Sequence, residues 1–180
     1  MANRLPTPER RLPTPELLLR RPEPGDRNFI VDAWLNSNVQ LATRLHMPRS
    51  LYRRHQRRLI DRLWSDPECT WLVACLPKDP SFIFGWACGE ASDAGPVLHF
   101  TYVKQSARRM GVATALLRAF FAGVEGTHLW CTHWTGDWWA FVKGGTPDGG
   151  RPTFLGYEVV TNPFLLWERW RHDSTMSQQG

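Results

Sequence analysis

One short stretch, 102–117, combines the residues best suited to chemistry: an apolar strand, a donor-rich turn and a helix follow one another there. Arg108 and Arg109 precede Gly111 in this stretch, and Ala113 follows it. The first amides of a helix lack intrahelical partners, and its N-terminus carries partial positive charge, so it binds phosphate well. Gly111 lets an anion approach the backbone, and Ala113 is small enough to keep that path open. The stretch therefore predicts an anion site.

The anion site does not follow either of two common phosphate-binding motifs. The P-loop pattern G-x-x-x-x-G-K-[ST] and the dinucleotide fingerprint G-x-G-x-x-G are both absent from the sequence. The alternative interpretation is a helix that begins at a glycine and has basic residues in its turn without binding a ligand.

The elements around this stretch follow from hydrophobic periodicity and turn signals. An apolar alternation ends before Pro-Glu-Pro-Gly, two helical patterns come next, and three apolar runs then indicate an antiparallel meander. The pattern predicts a mixed α/β fold, with a mostly antiparallel central sheet flanked by helices. The predicted strands cover 17–20, 71–76, 82–89, 97–103, 127–131, 154–161 and 164–170, and the predicted helices cover 27–37, 49–64 and 111–124.

Length and composition favour a single domain. The 180 residues predict a domain over 17–170, with a disordered Pro-rich tail over 1–16 and a disordered tail over 171–180. No apolar run is long enough to cross a membrane, and the N-terminus lacks an apolar secretory core. The four cysteines form no C-x-x-C pair and are expected to be reduced. We therefore expect a cytoplasmic protein without a metal site.

The net charge of +5 is concentrated in one segment. Residues 44–62 contain seven arginines and one aspartate, so the rest of the chain is close to neutral or acidic. Such a segment is expected either to contact the phosphates of a nucleic acid or to form a solvated helix face. The candidate contacts are Arg53, Arg54, Arg57, Arg58 and Arg62.

The turn and helix resemble the signature of the GNAT superfamily of N-acetyltransferases, Q/R-x-x-G-x-G/A, which Arg108, Gly111 and Ala113 match. The order of the predicted elements over about 17–170 is also similar to that family. The segments 29–35 and 162–167 loosely resemble phage-encoded members. The resemblance implies a GNAT-like acyl-CoA N-acyltransferase fold.

The resemblance also implies that the chain binds acetyl-CoA as a co-substrate. The backbone near Tyr102 and Val103 would pair with the pantetheine arm, and the turn would hold the pyrophosphate. The turn residues concerned are Arg108, Arg109, Met110, Gly111, Val112, Ala113 and Thr114.

Acetyl transfer needs a base near the end of the fourth strand. Strand alternation places His99 on one face with Val97, Thr101 and Val103, and an imidazole titrates near neutral pH. His99 is therefore predicted as the base or its relay, with a hydrogen-bonded core histidine as the alternative.

Four further residues bear on the reaction. His133 follows the fifth strand and is predicted to face the substrate, whereas Glu90 is expected in a solvated turn. Phe141 stands near the position where the family often has a tyrosine that protonates the CoA thiolate, and either Tyr157 or water is expected to take its place.

Three functions remain open at this stage. The first is transfer of an acetyl group from acetyl-CoA to a primary amine. The second is a non-catalytic CoA-binding module, for which the Phe141 departure is the reason. The third is an acyltransferase directed to nucleic acid by the basic helix. Neither the acceptor nor the oligomeric state follows from the sequence.

Overall fold

The structure is a computed structural model that describes residues 16–37, 46–133, 152–163 and 165. Both predicted tails, apart from Glu16, lie outside these residues, as do Phe141 and nearly all of the strand predicted over 164–170. The strands are β1 (Leu18–Arg20), β2 (Thr70–Leu76), β3 (Asp79–Ser92), β4 (Gly95–Val103), β5 (His128–Cys131), β6 (Thr153–Phe154) and β7 (Tyr157–Thr161). The α-helices are α1 (Arg27–Ser37), α2 (Arg49–Ser65) and α3 (Val112–Phe120).

The described strands form one sheet in the order β1-β2-β3-β4-β5-β7-β6. Neighbours from β1 to β4 pair antiparallel, as do β6 and β7, while β5 runs parallel to both β4 and β7. The predicted mixed α/β fold with a mostly antiparallel sheet is therefore confirmed.

Two apolar layers hold the helices against opposite faces of the sheet. The first cluster joins α1 and α2 to one face, and the ring of Trp34 stacks on Phe100 with centroids 4.3 Å apart. The second cluster joins α3 to the other face through Leu116 and Leu117, both fully buried. Burial of large side chains of this kind contributes roughly 1.5–3 kcal/mol each.

The end of the described sheet differs from the sequence prediction. A single strand was expected over 154–161, but β6 and β7 form a hairpin whose turn is Leu155 and Gly156. Both residues have positive φ, 52° and 90°, which is the backbone conformation that a tight two-residue hairpin turn requires. The prediction was wrong because it treated 154–161 as one continuous strand, whereas Leu155 and Gly156 form a turn within that range.

The helix predicted over 111–124 is shorter in the structure. It begins at Val112 and ends at Phe120, and Gly123 has a φ of 77° that no helical residue adopts. No helix in the described ranges is both long and apolar enough to cross a membrane.

Candidate functional site

The site begins where β4 and β5 separate. The two parallel strands share only two residue pairs, Val97 with Trp130 and Leu98 with Cys131. One further backbone bond joins the Thr132 amide to the Leu98 carbonyl at 3.1 Å. Beyond this point β4 continues to Val103. The edge of β4 over 99–103 therefore has no partner strand on the β5 side within the described residues.

A β-bulge in β4 lies at the same point. Cys88 pairs with Phe100 and the next residue of β3 pairs with Leu98, so His99 is an extra residue without a partner on β3. A bulge re-aims a side chain and interrupts strand alternation. Val97 and His99 consequently share a face with Glu90.

This bulge corrects the predicted face. Alternation would place His99 with Thr101 and Val103, but Val103 packs against the second cluster. His99 instead shares the face of the first cluster with Phe100. The inserted residue, which no alternation pattern anticipates, is the physical reason.

His99 is fully buried and has two side-chain neighbours. Its Nδ1 lies 3.3 Å from the Thr132 hydroxyl, and its Nε2 lies 3.4 Å from the Glu90 Oε2. The Glu90 side chain is 12% exposed, whereas that of His99 is 0% exposed. The separation of Nε2 from Glu90 is within ion-pair range but does not have the geometry of a hydrogen bond. Nε2 therefore has no hydrogen-bond partner among the described residues.

The hydrogen bonds around His99 determine where its protons lie. The Thr132 hydroxyl donates to the His99 carbonyl at 3.4 Å, so its oxygen accepts from Nδ1. With its hydrogen on Nδ1, a neutral ring would present a lone pair to the Glu90 carboxylate. The Nε2 contact is favourable only when one proton lies between the two groups. The Nε2 of His99 and the carboxylate of Glu90 therefore face each other as a buried donor–acceptor pair, and Glu90 is its more exposed member.

His133 has a different electrostatic environment. Its Nδ1 lies 3.1 Å from the His99 carbonyl, which can only accept, so Nδ1 carries the hydrogen. Burial, together with the neighbouring His99, lowers the pKa of His133 to about 4. The ring also stands edge-on to Trp34, with centroids 5.8 Å apart. His133 is therefore neutral near pH 7 and holds the end of β5 against the carbonyl of His99.

The turn after β4 presents backbone donors. Gly111 caps α3 with φ 80°, and the first helical bond runs from the Ala115 amide to the Gly111 carbonyl at 2.9 Å. The three preceding helix amides therefore have no intrahelical acceptor. Arg109 has a φ of 64°, and alternation of right- and left-handed residues forms anion-binding concavities. This geometry suits a diphosphate. The three amides belong to Val112, Ala113 and Thr114.

The other residues predicted to hold the cofactor lie beside this turn. Tyr102 is half-buried and stands edge-on to Phe29. Arg108 is exposed, and its Nε lies 3.4 Å from the Val103 carbonyl, so the side chain folds back on the end of β4. Met110 is half-buried against the second cluster. The strand edge and the turn are thus adjacent, and the binding of a cofactor there stays a prediction.

Tyr157 does not join the histidines. It begins β7, which runs parallel to β5, so it lies at the end of the sheet where β5 begins, away from Thr132. Its hydroxyl donates to the Val124 carbonyl at 2.6 Å. This hydrogen bond joins β7 to the segment that follows α3.

Sequence reasoning missed two members of the site. Glu90 lies inside β3 rather than in a solvated turn, and Thr132 is a buried hydroxyl between the two histidines. The apolar run ends at Gly89 but β3 continues to Ser92, so the sequence carried no clear signal that Glu90 lies within the strand. The contact of Thr132 with His99 could be found only from the structure, because it depends on where β4 and β5 separate.

Comparison with solved structures returns several matches at low sequence identity. A mutant of the BH1408 protein from Bacillus halodurans matches at TM-score 0.51 and 10% identity, over 77% of this chain and 98% of that one. An aminoglycoside 6'-N-acetyltransferase from Acinetobacter baumannii matches at TM-score 0.46 and 10% identity, over 78% and 97%. A spermidine N-acetyltransferase from Vibrio cholerae, solved with CoA and spermine, matches at TM-score 0.41 and 17% identity, over 58% and 60%.

These likenesses concern the fold. GNAT acetyltransferases are among the structures that match, as the sequence resemblance predicts, and one of them is a CoA complex. The chain shares with them a mixed α/β fold and a mostly antiparallel sheet. No family model and no curated protein matches the sequence. A phage origin stays a prediction.

Proposed function

We propose that this protein is an N-acetyltransferase that moves the acetyl group of acetyl-CoA to a primary amine. The observation that carries the proposal is the parting of β4 from β5 after Leu98. An uncovered edge of β4 and the turn of free amides that follows this strand lie beside a buried pair formed by His99 on β4 and Glu90 on β3. This combination accommodates a linear ligand with amides along its arm and a diphosphate at one end.

The proposed binding mode uses the backbone of the chain. The pantetheine amides would pair with the edge of β4 near Tyr102 and Val103, like an added strand. The pyrophosphate would lie on the amides from Arg109 to Thr114, at the positive end of the α3 dipole. Exposed Arg109 would add a cation nearby. Binding by amides needs no large net charge, which fits a site outside the arginine-rich helix.

The proposed reaction needs one proton acceptor. The amine nitrogen attacks the thioester carbonyl carbon, a C–N bond forms and the C–S bond breaks. The proton lost by the amine passes to the pair formed by Glu90 and His99, and the CoA thiolate leaves and is protonated by solvent. His133, neutral near pH 7, positions the end of β5 rather than accepting this proton.

A pair of glycine variants tests the binding mode. Gly111 and Gly123 both have positive φ, but only Gly111 starts α3. Gly111→Asp places a carboxylate at the start of α3, where it repels a diphosphate. The left-handed backbone strains a side chain at both positions alike, with φ of 80° at Gly111 and 77° at Gly123. Gly123→Asp adds the same charge past the other end of the helix. Calorimetric titration with CoA is expected to show a loss of at least about tenfold in affinity for Gly111→Asp, about 1.4 kcal/mol.

Gly123→Asp is the control for that titration. Gly123→Asp should bind CoA as the wild type does, and both variants should unfold at similar temperatures. Equal CoA affinity in Gly111→Asp and the wild type would contradict the proposed pyrophosphate site. Retained CoA binding without acetyl transfer would instead favour the non-catalytic module.

A further inference from the structure

α2 carries the whole net charge of the chain. Its residues Arg49–Ser65 include six arginines and one aspartate, a net charge of +5, which equals the formal charge of all 180 residues. The rest of the chain is therefore neutral overall. The concentration of charge is a property of this helix and not of the protein surface in general.

The arginines occupy the outer face of α2. The inner face is buried against α1 and the sheet by Tyr52, Ile60 and Leu63, which are 3%, 0% and 1% exposed. Because this apolar side is already packed in the protein, it is unavailable to a lipid bilayer. The arginines are all exposed: Arg49, Arg53, Arg54, Arg57, Arg58 and Arg62.

The outer face holds like charges close together. Arg54 and Arg58 are four residues apart, as are Arg53 and Arg57, and like charges at this spacing destabilise a helix. The one aspartate of α2, Asp61, is bound by Arg27 of α1 at 2.6 Å. Arg54, Arg57 and Arg58 make no hydrogen bond or ion pair with any residue that the structure describes. A polyanion would relieve the repulsion among them.

A groove runs along this face between α1 and α2. Its volume is about 440 Å³, and four of the arginines form one side of it, with Asp61 of α2 and Asp32 and Leu35 of α1 also lining it. No apolar residue of α2 is exposed on the outer face. Protein interfaces are anchored by buried aromatic or aliphatic residues, which this face does not offer. This face instead presents a row of arginine guanidinium groups, which are planar cations that bind phosphates in bidentate fashion.

We infer that the outer face of α2 is a docking surface for the phosphate backbone of a nucleic acid. The arginines recur at intervals of one helical turn, about 5.4 Å, and so present a row of cations to a row of phosphates. A surface that reads only phosphates binds without base specificity. The inference is independent of acetyl transfer, because it uses none of the residues placed at the β4 site.

Fluorescence anisotropy with a labelled 16-base-pair DNA duplex tests the inference. The logarithm of the association constant should fall linearly with the logarithm of salt concentration, with a slope of about −3.6 for four neutralised phosphates. Arg54→Gln with Arg58→Gln should reduce the slope by about 1.8 and weaken binding at least about tenfold at low salt. Arg57→Gln alone should reduce it by about 0.9.

The matched control removes the same charge elsewhere. Arg21→Gln with Arg118→Gln alters two exposed arginines outside α2 and should leave the slope unchanged. An equal loss in both double variants, no binding to the duplex at low salt, or competition by polyglutamate as strong as that by unlabelled duplex would each overturn the inference. The last result would assign the surface to an acidic protein.

Discussion

A single extra residue in β4 decides where the buried histidine points. Because His99 is the bulged position, its ring turns toward Glu90 on the neighbouring strand rather than toward α3. Its carbonyl, released from the ladder where the strands part, accepts from the Thr132 hydroxyl and from His133. One local irregularity thus creates both the contact of His99 with Glu90 and the contact that fixes the end of β5.

His133 gives a prediction about stability and pH. Its pKa of about 4 in the folded protein lies below the ordinary 6.5, so between these values the unfolded chain holds more protons. Stability contributed by His133 is therefore full above pH 6.5 and lost as the pH falls toward 4. Between pH 7 and pH 4.5 the wild type should lose about 2 kcal/mol more of its unfolding free energy than His133→Gln.

Urea unfolding of both proteins at the two pH values measures this difference. Carboxylates elsewhere titrate equally in the two proteins and cancel in the comparison. If the two proteins lose the same free energy between pH 7 and pH 4.5, the environment assigned to His133 is wrong.

At the scale of elements, an ion pair ties β1 to the chain that enters α1. Arg20 binds Asp26 through two contacts of 2.6 and 3.3 Å, and Asp26 also accepts from the Glu23 amide at 2.7 Å. Burial acts to raise the pKa of Asp26, but these bonds outweigh it and hold the pKa below its ordinary value. The pair is largely shielded from water, with side chains 16% and 10% exposed.

Removal of this carboxylate should therefore cost more than removal of an exposed one. Asp26→Ala leaves the partly buried guanidinium of Arg20 with only the exposed carboxylate of Glu23, 3.9 Å away, as an ion partner, and should cost about 2–4 kcal/mol. Asp61→Ala breaks the exposed pair with Arg27 and should cost less than about 1 kcal/mol. Chemical denaturation at neutral pH measures both. Equal costs would refute the role given to the Arg20 pair.

Hydrophobic periodicity predicts the elements well and their irregularities poorly. The helix at 27–37 and the meander from 71 to 103 follow from apolar spacing, because burial of one face enforces that spacing. The bulge at His99 changes the register by one residue without changing residue type, so no pattern reveals it. The turn at Gly111 was predictable, because its chemistry depends on consecutive residues. The contact of Glu90 with His99 was not, because it depends on register.

At the scale of the molecule, charge and chemistry lie on different elements. The net charge of the chain equals that of α2, whereas the proposed CoA site consists of backbone amides and an uncovered strand edge. The two sites can therefore be altered separately. Variants of α2 should change duplex binding without changing CoA affinity, and Gly111→Asp should do the reverse.

The central claim is acetyl transfer assisted by His99, and thiol release from acetyl-CoA tests it most directly. Free CoA would be followed with a thiol reagent, between pH 6 and 9, across a panel of primary amines. The account predicts amine-dependent release by the wild type and a rate at least about a hundredfold lower for His99→Gln, with CoA affinity retained. Amine-independent release, or a wild-type rate in His99→Gln at every pH, would contradict it.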